Sequence, residues 1–217
     1  MMGKKTFSNA RVSSPITAVV LAAGAGRRMG RPKLLLPFKG KPLLAWTLDL
    51  VEKLPVERRL LVLGARAPEI LHALFDHPPA VTRYPSRVTR HGTLWEVLIN
   101  ARWEEGMGSS LRLAAEHVEG GMLVFLGDMP QVPREAALAV LSRAGERPVA
   151  TCFEGRRGFP VYLPAGLRPR LLELKGDVGA RDLLREGCEL VQVDNPGVVQ
   201  DVDTPRDLAL VENRGGG

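Results

Sequence analysis

The sequence predicts an α/β protein with a Rossmann-like, doubly wound and mostly parallel sheet and helices on both faces. Short apolar runs at 16–21 and Gly121–Leu126 are typical of strands that are buried on both sides. Segments with helical spacing lie between the early runs, so strands and helices alternate along the first half of the chain. The chain has 217 residues, of which 45% are hydrophobic, and this suffices to bury a sizeable core.

The predicted elements follow one another in a regular order. The predicted strands cover residues 16–21, 59–64, 94–100, 121–126, 149–153 and 189–193, and 156–163 is expected to return antiparallel to the fifth of them. The predicted helices cover residues 42–53, 68–75, 133–144, 167–174 and 206–211. Segment 76–93 holds three prolines and no clear period, so no element is predicted there, and its length alone does not choose between a surface excursion, a dimer contact and a lid.

The ends of the chain and its cysteines indicate a cytoplasmic protein. Residues 16–213 are expected to form one domain, between a disordered tail at 1–15 and a flexible end at 214–217. The tail is polar and basic, unlike a signal peptide, and no apolar run approaches the length of a membrane span. Cys152 and Cys188 are isolated, which predicts reduced thiols rather than a disulfide framework or a zinc site.

The net charge of +6 points to an anionic partner. Aromatic residues make up only 5% of the chain, which is poor for base stacking, and basic low-complexity runs are missing. A small anionic substrate explains the charge as well, so no nucleic-acid partner is expected. The four histidines are scattered without metal-ligand spacing, which predicts surface positions for them.

The loop after the first predicted strand is rich in glycine and in positive charge. It contains Gly24, Gly26, Gly30, Arg27, Arg28, Arg31 and Lys33. Glycines let backbone N–H groups approach an anion whose charge the cations neutralise, so the loop suits a polyphosphate. Met29 stands where a dinucleotide fingerprint needs its third glycine, and Pro32 stands where a Walker loop needs Ser or Thr. An ordinary turn with solvated arginines is the competing interpretation.

Three aspartates are candidates for a cation site. Asp128 directly follows the strand at 121–126, where it is either a turn residue or a carboxylate at the ligand-binding edge of the sheet. Asp201 and Asp203 lie two residues apart in an extended segment, hence on one face, and are placed to share a cation with Asp128. Thr204 is a candidate helix N-cap, and Asp203 is an alternative for that role.

Two serines follow the turn at 106–108. Ser109 or Ser110 is predicted to cap a helix that begins near Leu111. The same helix N-terminus, with free N–H groups and hydroxyls, also suits an anion or a sugar.

Charged residues in the second half of the chain have two interpretations each. Arg156 and Arg157 are either contacts to an acidic acceptor or solvated charges of a hairpin. Asp177 is a candidate cap of a helix that starts at Val178, with Arg181 facing a phosphate. A plain capping role for Asp177 competes with a role in binding.

The segment LAAGAGRRMGRPKLLLPFKGKPLL at 21–44 resembles the signature of the MobA-like nucleotidyltransferases. Further motifs agree in type and order, namely NARWEEGMGSSL at 100–111, GDMP at 127–130, GDVGAR at 176–181 and DVDTP at 201–205. The chain is most similar to the molybdenum cofactor cytidylyltransferase branch, over about 16–211. It departs from that branch at Phe159, where a histidine is usual, and in segment 76–93, which looks like an insertion relative to the family pattern.

The resemblance implies a fold of the nucleotide-diphospho-sugar transferase type and transfer of CMP from CTP to the terminal phosphate of molybdopterin, with a molybdoenzyme or its chaperone as a partner. It implies catalytic roles for Arg28, Lys33 and Asp128, and a Mg²⁺ site at Asp128 with Asp203 or Asp201. The nucleotide-binding residues that it implies are Leu21, Ala22, Ala23, Gly24, Gly26, Gly108, Ser109 and Ser110.

Three alternatives to this function stay open. The sequence Ala22-Ala23-Gly24 favours CTP, because the guanylyltransferase branch typically has a glycine in place of the second alanine. A GTP-dependent guanylyltransferase and a sugar-phosphate nucleotidyltransferase are the enzymatic alternatives. A non-catalytic nucleotide-binding module is the third, and Phe159 and the 76–93 insertion keep it open.

Overall fold

A computed structural model describes residues 15–24, 32–64, 66–76, 85–174, 183–185, 187–204 and 207 of the chain. Its centre is an eight-stranded sheet in the order β10-β8-β9-β7-β1-β4-β6-β5. These strands are β1 (Ile16–Ala22), β4 (Arg58–Leu63), β5 (Ser86–Arg90), β6 (Thr93–Ile99), β7 (Gly121–Leu126), β8 (Val149–Phe153), β9 (Arg156–Leu163) and β10 (Glu189–Gln192). A short hairpin of β2 (Pro37–Phe38) and β3 (Lys41–Pro42) lies outside it.

The central strands are parallel and the sheet is mixed toward its edges. β1 pairs in parallel with β4 and with β7, β4 with β6, and β8 with β10. β9 is antiparallel to both β7 and β8, as the predicted return at 156–163 requires. The predicted mostly parallel α/β fold is therefore confirmed.

Helices cover both faces of this sheet. Their bounds are α1 (Leu43–Glu52), α2 (Ala67–Leu74), α3 (Met107–His117), α4 (Arg134–Leu141) and α5 (Arg168–Leu172). On one face α1, α2 and α4 bury apolar side chains such as Leu48, Ile70 and Val140. On the other face α3 and α5 bury Leu111 and Leu171. Each helix turns its apolar residues toward the sheet, which produces the doubly wound arrangement.

The structure differs from the sequence prediction in segment 76–93. No strand was predicted there, but residues 86–90 form the edge strand β5, antiparallel to β6, while the insertion itself stays a prediction. His91 and Gly92 make the tight turn between them with φ of 49° and 75°, as in the turns that favour two-residue hairpins. The inward residues are Ser86, Val88 and Arg90, of which only Val88 is apolar, so the usual hydrophobic alternation is missing.

The carboxyl ends of the parallel strands create one edge at which several loops meet. Gly24 follows β1, Gly64 follows β4, Asn100 follows β6 and Asp128 follows β7. Ligands of open α/β sheets bind outside this edge. None of the helices in the described part of the chain has the length and apolar character of a membrane-spanning segment. Cys152 and Cys188 are free thiols.

Candidate active site

Asp128, Asp201 and Asp203 converge at the carboxyl edge of the sheet. Each contributes one carboxylate oxygen to a group whose atoms all lie within 4.8 Å of one another. The Val202 N–H donates to the backbone oxygen of Asp128 over 3.0 Å, which ties the two segments together. The predicted juxtaposition of these aspartates is therefore present in the structure.

Lys33 lies between two of these carboxylates. Its ammonium donates to Asp128 Oδ2 and to Asp203 Oδ1, over 2.7 Å in each case. The Lys33 side chain is only 11% exposed, and the neighbouring Leu34 is buried in the core beneath it. The short 3₁₀ turn Lys33–Leu35 thus anchors the lysine at the acidic cluster.

The electrostatics of the cluster are unbalanced among the described residues. Burial disfavours the charge of Lys33, but the charge of Asp128 and the hydrogen bonds to Asp128 and Asp203 outweigh it and raise the pKa of Lys33. Asp201 as a residue is exposed, yet the partial desolvation of its carboxyl group and then the charge of Asp128 raise the pKa of Asp201. Within the described part of the chain, three carboxylates therefore lie around one ammonium.

Glycines allow the backbone segments that carry the aspartates to approach closely. A Cβ on Gly127 would lie 2.9 Å from Leu44 Cδ1 and 3.0 Å from Ala22 Cβ. A Cβ on Gly197 would lie 2.2 Å from the backbone oxygen of Gln131. The loop after β7 and the segment before Asp201 are consequently packed backbone against backbone, which sets the positions of the acidic side chains.

A capping box follows the acidic segment. Thr204 Oγ1 accepts from the Asp207 N–H over 3.2 Å, which confirms Thr204 as an N-cap. Asp207 Oδ2 in return accepts from the N–H groups of Asp203 and Thr204 over 3.1 and 2.7 Å. Asp207 was not singled out in the sequence, although its position three residues after Thr204 follows the capping-box spacing.

The structure places Ser109 and Ser110 inside the first turn of α3. The helix begins at Met107 with Gly106 as its N-cap residue, and no side chain caps it, so the predicted serine cap near Leu111 is wrong. Both hydroxyls accept from Asn100 Nδ2, over 2.8 and 2.9 Å, and Ser109 donates to the backbone. Asn100 therefore joins the end of β6 to α3. Asn100 was not singled out in the sequence, although a polar residue directly after a predicted strand is a signal for a residue at the ligand-binding edge. The proposed nucleotide contacts of both serines stay a prediction.

A cavity of about 620 Å³ lies beside the acidic cluster. Asp201 lies at its margin, together with the exposed Arg156 and Arg157. Leu21, at the end of β1, also lines it, whereas Ala22, Ala23 and the buried Gly108 are not part of the described lining. The cavity provides room for a substrate next to the carboxylates.

Several predicted site residues lie outside the described residues. These are Arg28 and Gly26 of the glycine-rich loop, and Asp177 and Arg181 of the GDVGAR motif. Gly24 is described and exposed, and a Cβ there would meet nothing within 4 Å. The predicted helices at 206–211 and from Val178 also fall largely outside the description.

The arrangement has the components for chemistry on phosphate esters. Carboxylate oxygens are the hard ligands that Mg²⁺ and Mn²⁺ take in proteins, and three of them converge here. An ammonium at hydrogen-bonding distance from the same oxygens and the arginines of the cavity lining add positive charge for phosphate groups. The donor set therefore fits a divalent cation.

Comparison with known proteins supports the same chemistry. A family model of the MobA-like NTP transferase domain matches residues 18–193. The chain is 33% identical to nicotine blue oxidoreductase of Paenarthrobacter nicotinovorans over 87% of this chain and 92% of that protein. It is 28% identical to the purine catabolism protein PucB of Bacillus subtilis, over 90% and 95%. The solved structure of Rv0371c from Mycobacterium tuberculosis in complex with manganese is similar with a TM-score of 0.69 and 26% identity, over 92% and 98% of the two chains.

Proposed function

Because the chain belongs to the MobA-like NTP transferase family, we propose that it transfers CMP from CTP to the terminal phosphate of molybdopterin and releases pyrophosphate. The observation that carries this proposal is the convergence of Lys33 and three aspartates beside a cavity whose lining includes arginines. The reaction is placed in the cytoplasm, and its product passes to a molybdoenzyme or to its chaperone.

The chemical step requires no strong general base. An oxygen of the acceptor phosphate attacks the α-phosphorus of CTP, the bond between that phosphorus and the bridging oxygen to the β-phosphate breaks, and pyrophosphate leaves with the electron pair. The second pKa of a phosphate monoester is near 6, so the attacking oxygen is already largely ionised at neutral pH. Positioning and charge neutralisation are thus the tasks of the protein.

Each of these tasks is assigned to particular residues. Asp128, Asp201 and Asp203 are the proposed ligands of Mg²⁺, which when bound supplies positive charge beside the triphosphate. Lys33 and Arg28 are the proposed phosphate contacts. The backbone from Leu21 to Gly26 is proposed to wrap the nucleotide, with Gly108, Ser109 and Ser110 near its ribose and base.

The residues that bind the acceptor are proposed from the charged side chains in the cavity lining. Arg156 and Arg157 are paired with β8 through their backbones, but their side chains make no hydrogen bond or ion pair with another described residue, so both guanidinium groups are available to an acidic acceptor. Asp177 and Arg181 are proposed to contribute from the GDVGAR motif. CTP is proposed as donor because of the Ala22-Ala23-Gly24 turn.

The proposal is tested first by nucleotide binding. The melting temperature is measured with CTP, GTP, ATP and UTP, each with and without Mg²⁺. A ligand present at 100 times its Kd stabilises a protein by about 2.7 kcal/mol, so we expect a clear shift with CTP and Mg²⁺. A shift of the melting temperature with GTP alone would favour guanylyl transfer over cytidylyl transfer.

Turnover is then measured with CTP and molybdopterin by pyrophosphate release and by the mass of the product. Glucosamine 1-phosphate as a second acceptor separates the sugar-phosphate alternative, and binding of CTP without product would indicate a non-catalytic module. NADH and NADPH belong in the binding screen, because one relative is named an oxidoreductase. A shift with these and none with a nucleoside triphosphate would overturn the proposal.

A further inference from the structure

Strand β9 leaves the ladder of hydrogen bonds directly beside the cavity. Cys152 pairs with Arg157 and Ala150 pairs with Val161, so one residue of β8 faces three residues of β9. The ladder between β7 and β9 likewise reaches only Val124 and Val161. Residues 158–160 therefore form a bulge, and bulges next to active sites re-aim side chains.

The bulge is held in place by a close backbone contact. A Cβ on Gly158 would lie 2.0 Å from the backbone oxygen of Val198, whose side chain is fully buried. Phe159, the next residue, is half-buried and lines the cavity. The close packing at Gly158 thus presents the Phe159 ring to the cavity from a fixed position.

Much of the cavity lining is apolar. Leu21, Val124, Leu126, Val161 and Leu163 form much of this surface, on the face of the sheet that α3 covers. Within the described lining, the side chains with charged groups are those of Arg156, Arg157, Arg185 and Asp201. A ligand body in the interior would meet aliphatic side chains and one aromatic ring.

Such a surface discriminates between classes of phosphate monoester. A hexose phosphate carries a hydroxyl group on most of its carbons, and burying these against aliphatic side chains leaves them without hydrogen-bond partners. A flat ring system presents an apolar face even where its edge is polar, and that face gains contact with an aromatic side chain. The arginines at the margin accept the phosphate group in either case.

We propose that Phe159 is the specificity-determining residue for the acceptor and that it selects phosphate monoesters carried on a flat ring system over sugar phosphates. This inference rests on the proposed nucleotidyl transfer and restricts its acceptor to a class that includes pterins. The Phe159 ring contacts the face of the acceptor, while Arg156 and Arg157 bind its phosphate.

The test measures the binding of two probes by calorimetry in the presence of Mg²⁺ and CTP. We expect the wild-type protein to bind 1-naphthyl phosphate at least about tenfold more tightly than glucose 1-phosphate. In Phe159→Leu, which keeps an apolar side chain, the affinity for 1-naphthyl phosphate falls about three- to tenfold while that for glucose 1-phosphate stays within about twofold. Phe153→Leu is the matched control, because Phe153 is half-buried on the same hairpin and lies outside the described cavity lining.

Three outcomes overturn the inference. These are equal affinities of the wild-type protein for the two probes, an unchanged affinity of Phe159→Leu for 1-naphthyl phosphate, and a parallel loss of both affinities in that variant. The comparison of the two probes on the wild-type protein requires no variant to fold. If the preference for 1-naphthyl phosphate holds but no cytidylyl product forms, the proposed function fails while the assignment of Phe159 stands.

Discussion

Two acidic clusters of this protein differ in how their charge is balanced. At the carboxyl edge of the sheet, Asp128, Asp201 and Asp203 share the single ammonium of Lys33 within the described residues. Between α1 and the β5–β6 hairpin, Asp49 and Glu52 are bound by Arg90, and Asp49 also by Lys41. We call the first group the edge cluster and the second the hairpin cluster.

The two clusters also differ in burial and in pKa. The side chains of Glu52 and Asp49 are 10% and 24% exposed, whereas those of Asp128 and Asp203 are 21% and 39% exposed. Burial alone would raise the pKa of Asp49, but hydrogen bonds from Lys41 and Arg90 outweigh it and lower that pKa, while the pKa of Asp201 is raised. Among the described residues, Arg90 and Lys41 thus balance the two carboxylates of the hairpin cluster, whereas the edge cluster brings three carboxylates to one ammonium.

The largest expected effect is a loss of activity that occurs on substitution in the edge cluster and not in the hairpin cluster. Asp128→Ala should lower kcat/KM for cytidylyl transfer by at least about a hundredfold, since a change in even the outer shell of a metal site costs 10- to 100-fold. Pyrophosphate release measures turnover, and far-UV circular dichroism shows that the fold persists. Asp49→Ala is the control, and turnover at a temperature well below its melting point should stay near the wild-type value. Retained activity of Asp128→Ala would contradict the proposed active site.

The next largest effect is a loss of stability on substitution in the hairpin cluster. Arg90→Met leaves Asp49 and Glu52 without their buried guanidinium, and breaking a buried pair in this way costs about 3–5 kcal/mol. Urea unfolding measures the loss. Arg66→Met is the matched control, because its ion pair with Glu69 is exposed and the unfolding midpoint should hardly move. An equal shift of the two midpoints would contradict a structural role for the hairpin cluster.

A third experiment asks whether the ammonium of Lys33 competes with a metal ion. Lys33→Met frees the carboxylates of Asp128 and Asp203, so the protein without nucleotide should bind Mn²⁺ roughly tenfold more tightly, the equivalent of one charge-assisted hydrogen bond. Electron paramagnetic resonance of free Mn²⁺ measures this affinity. Lys39→Met, which removes an exposed lysine, should leave it unchanged. An unchanged or weaker affinity of Lys33→Met would show that the lysine does not compete.

The smallest expected effect concerns pH. A carboxyl group whose pKa is lower in the folded than in the unfolded protein stabilises the fold above its unfolded value, and this contribution is lost as the pH falls through the folded value. For Asp49 the loss begins near the ordinary value of 3.8 and continues below it. The melting temperature should therefore fall less between pH 7 and pH 3 in Asp49→Asn than in the wild-type protein. Equal falls in the two proteins would contradict this sign.

Local patterns in the sequence sufficed for most strands and for the acidic residues of the site. Nearly continuous apolar runs marked β1 and β7, because strands buried on both faces leave little room for polar side chains. Asp128 followed such a run, and the carboxyl ends of parallel strands share one edge, so its meeting with Asp201 and Asp203 could be predicted.

The start of α3 and the strand β5 could not be predicted in this way. α3 begins at Met107 because Asn100, from the end of β6, binds the hydroxyls of Ser109 and Ser110. In β5 the side chain of Arg90 points inward, which the local hydrophobic pattern does not predict. Asp49 and Glu52, about 40 residues away in the sequence, make this orientation favourable because they bind its guanidinium group.

The partners of Lys33 show the same division between local and distant information. Its place in a glycine-rich, cationic loop was a property of the sequence and indicated a contact with phosphate. Its ion pairs join it to Asp128 and Asp203, which are 95 and 170 residues away. Spacing and hydrophobic pattern act over a few residues, so they determine elements and residue types. Pairs this distant form only when the parallel sheet brings its strand ends together, and that depends on the tertiary structure.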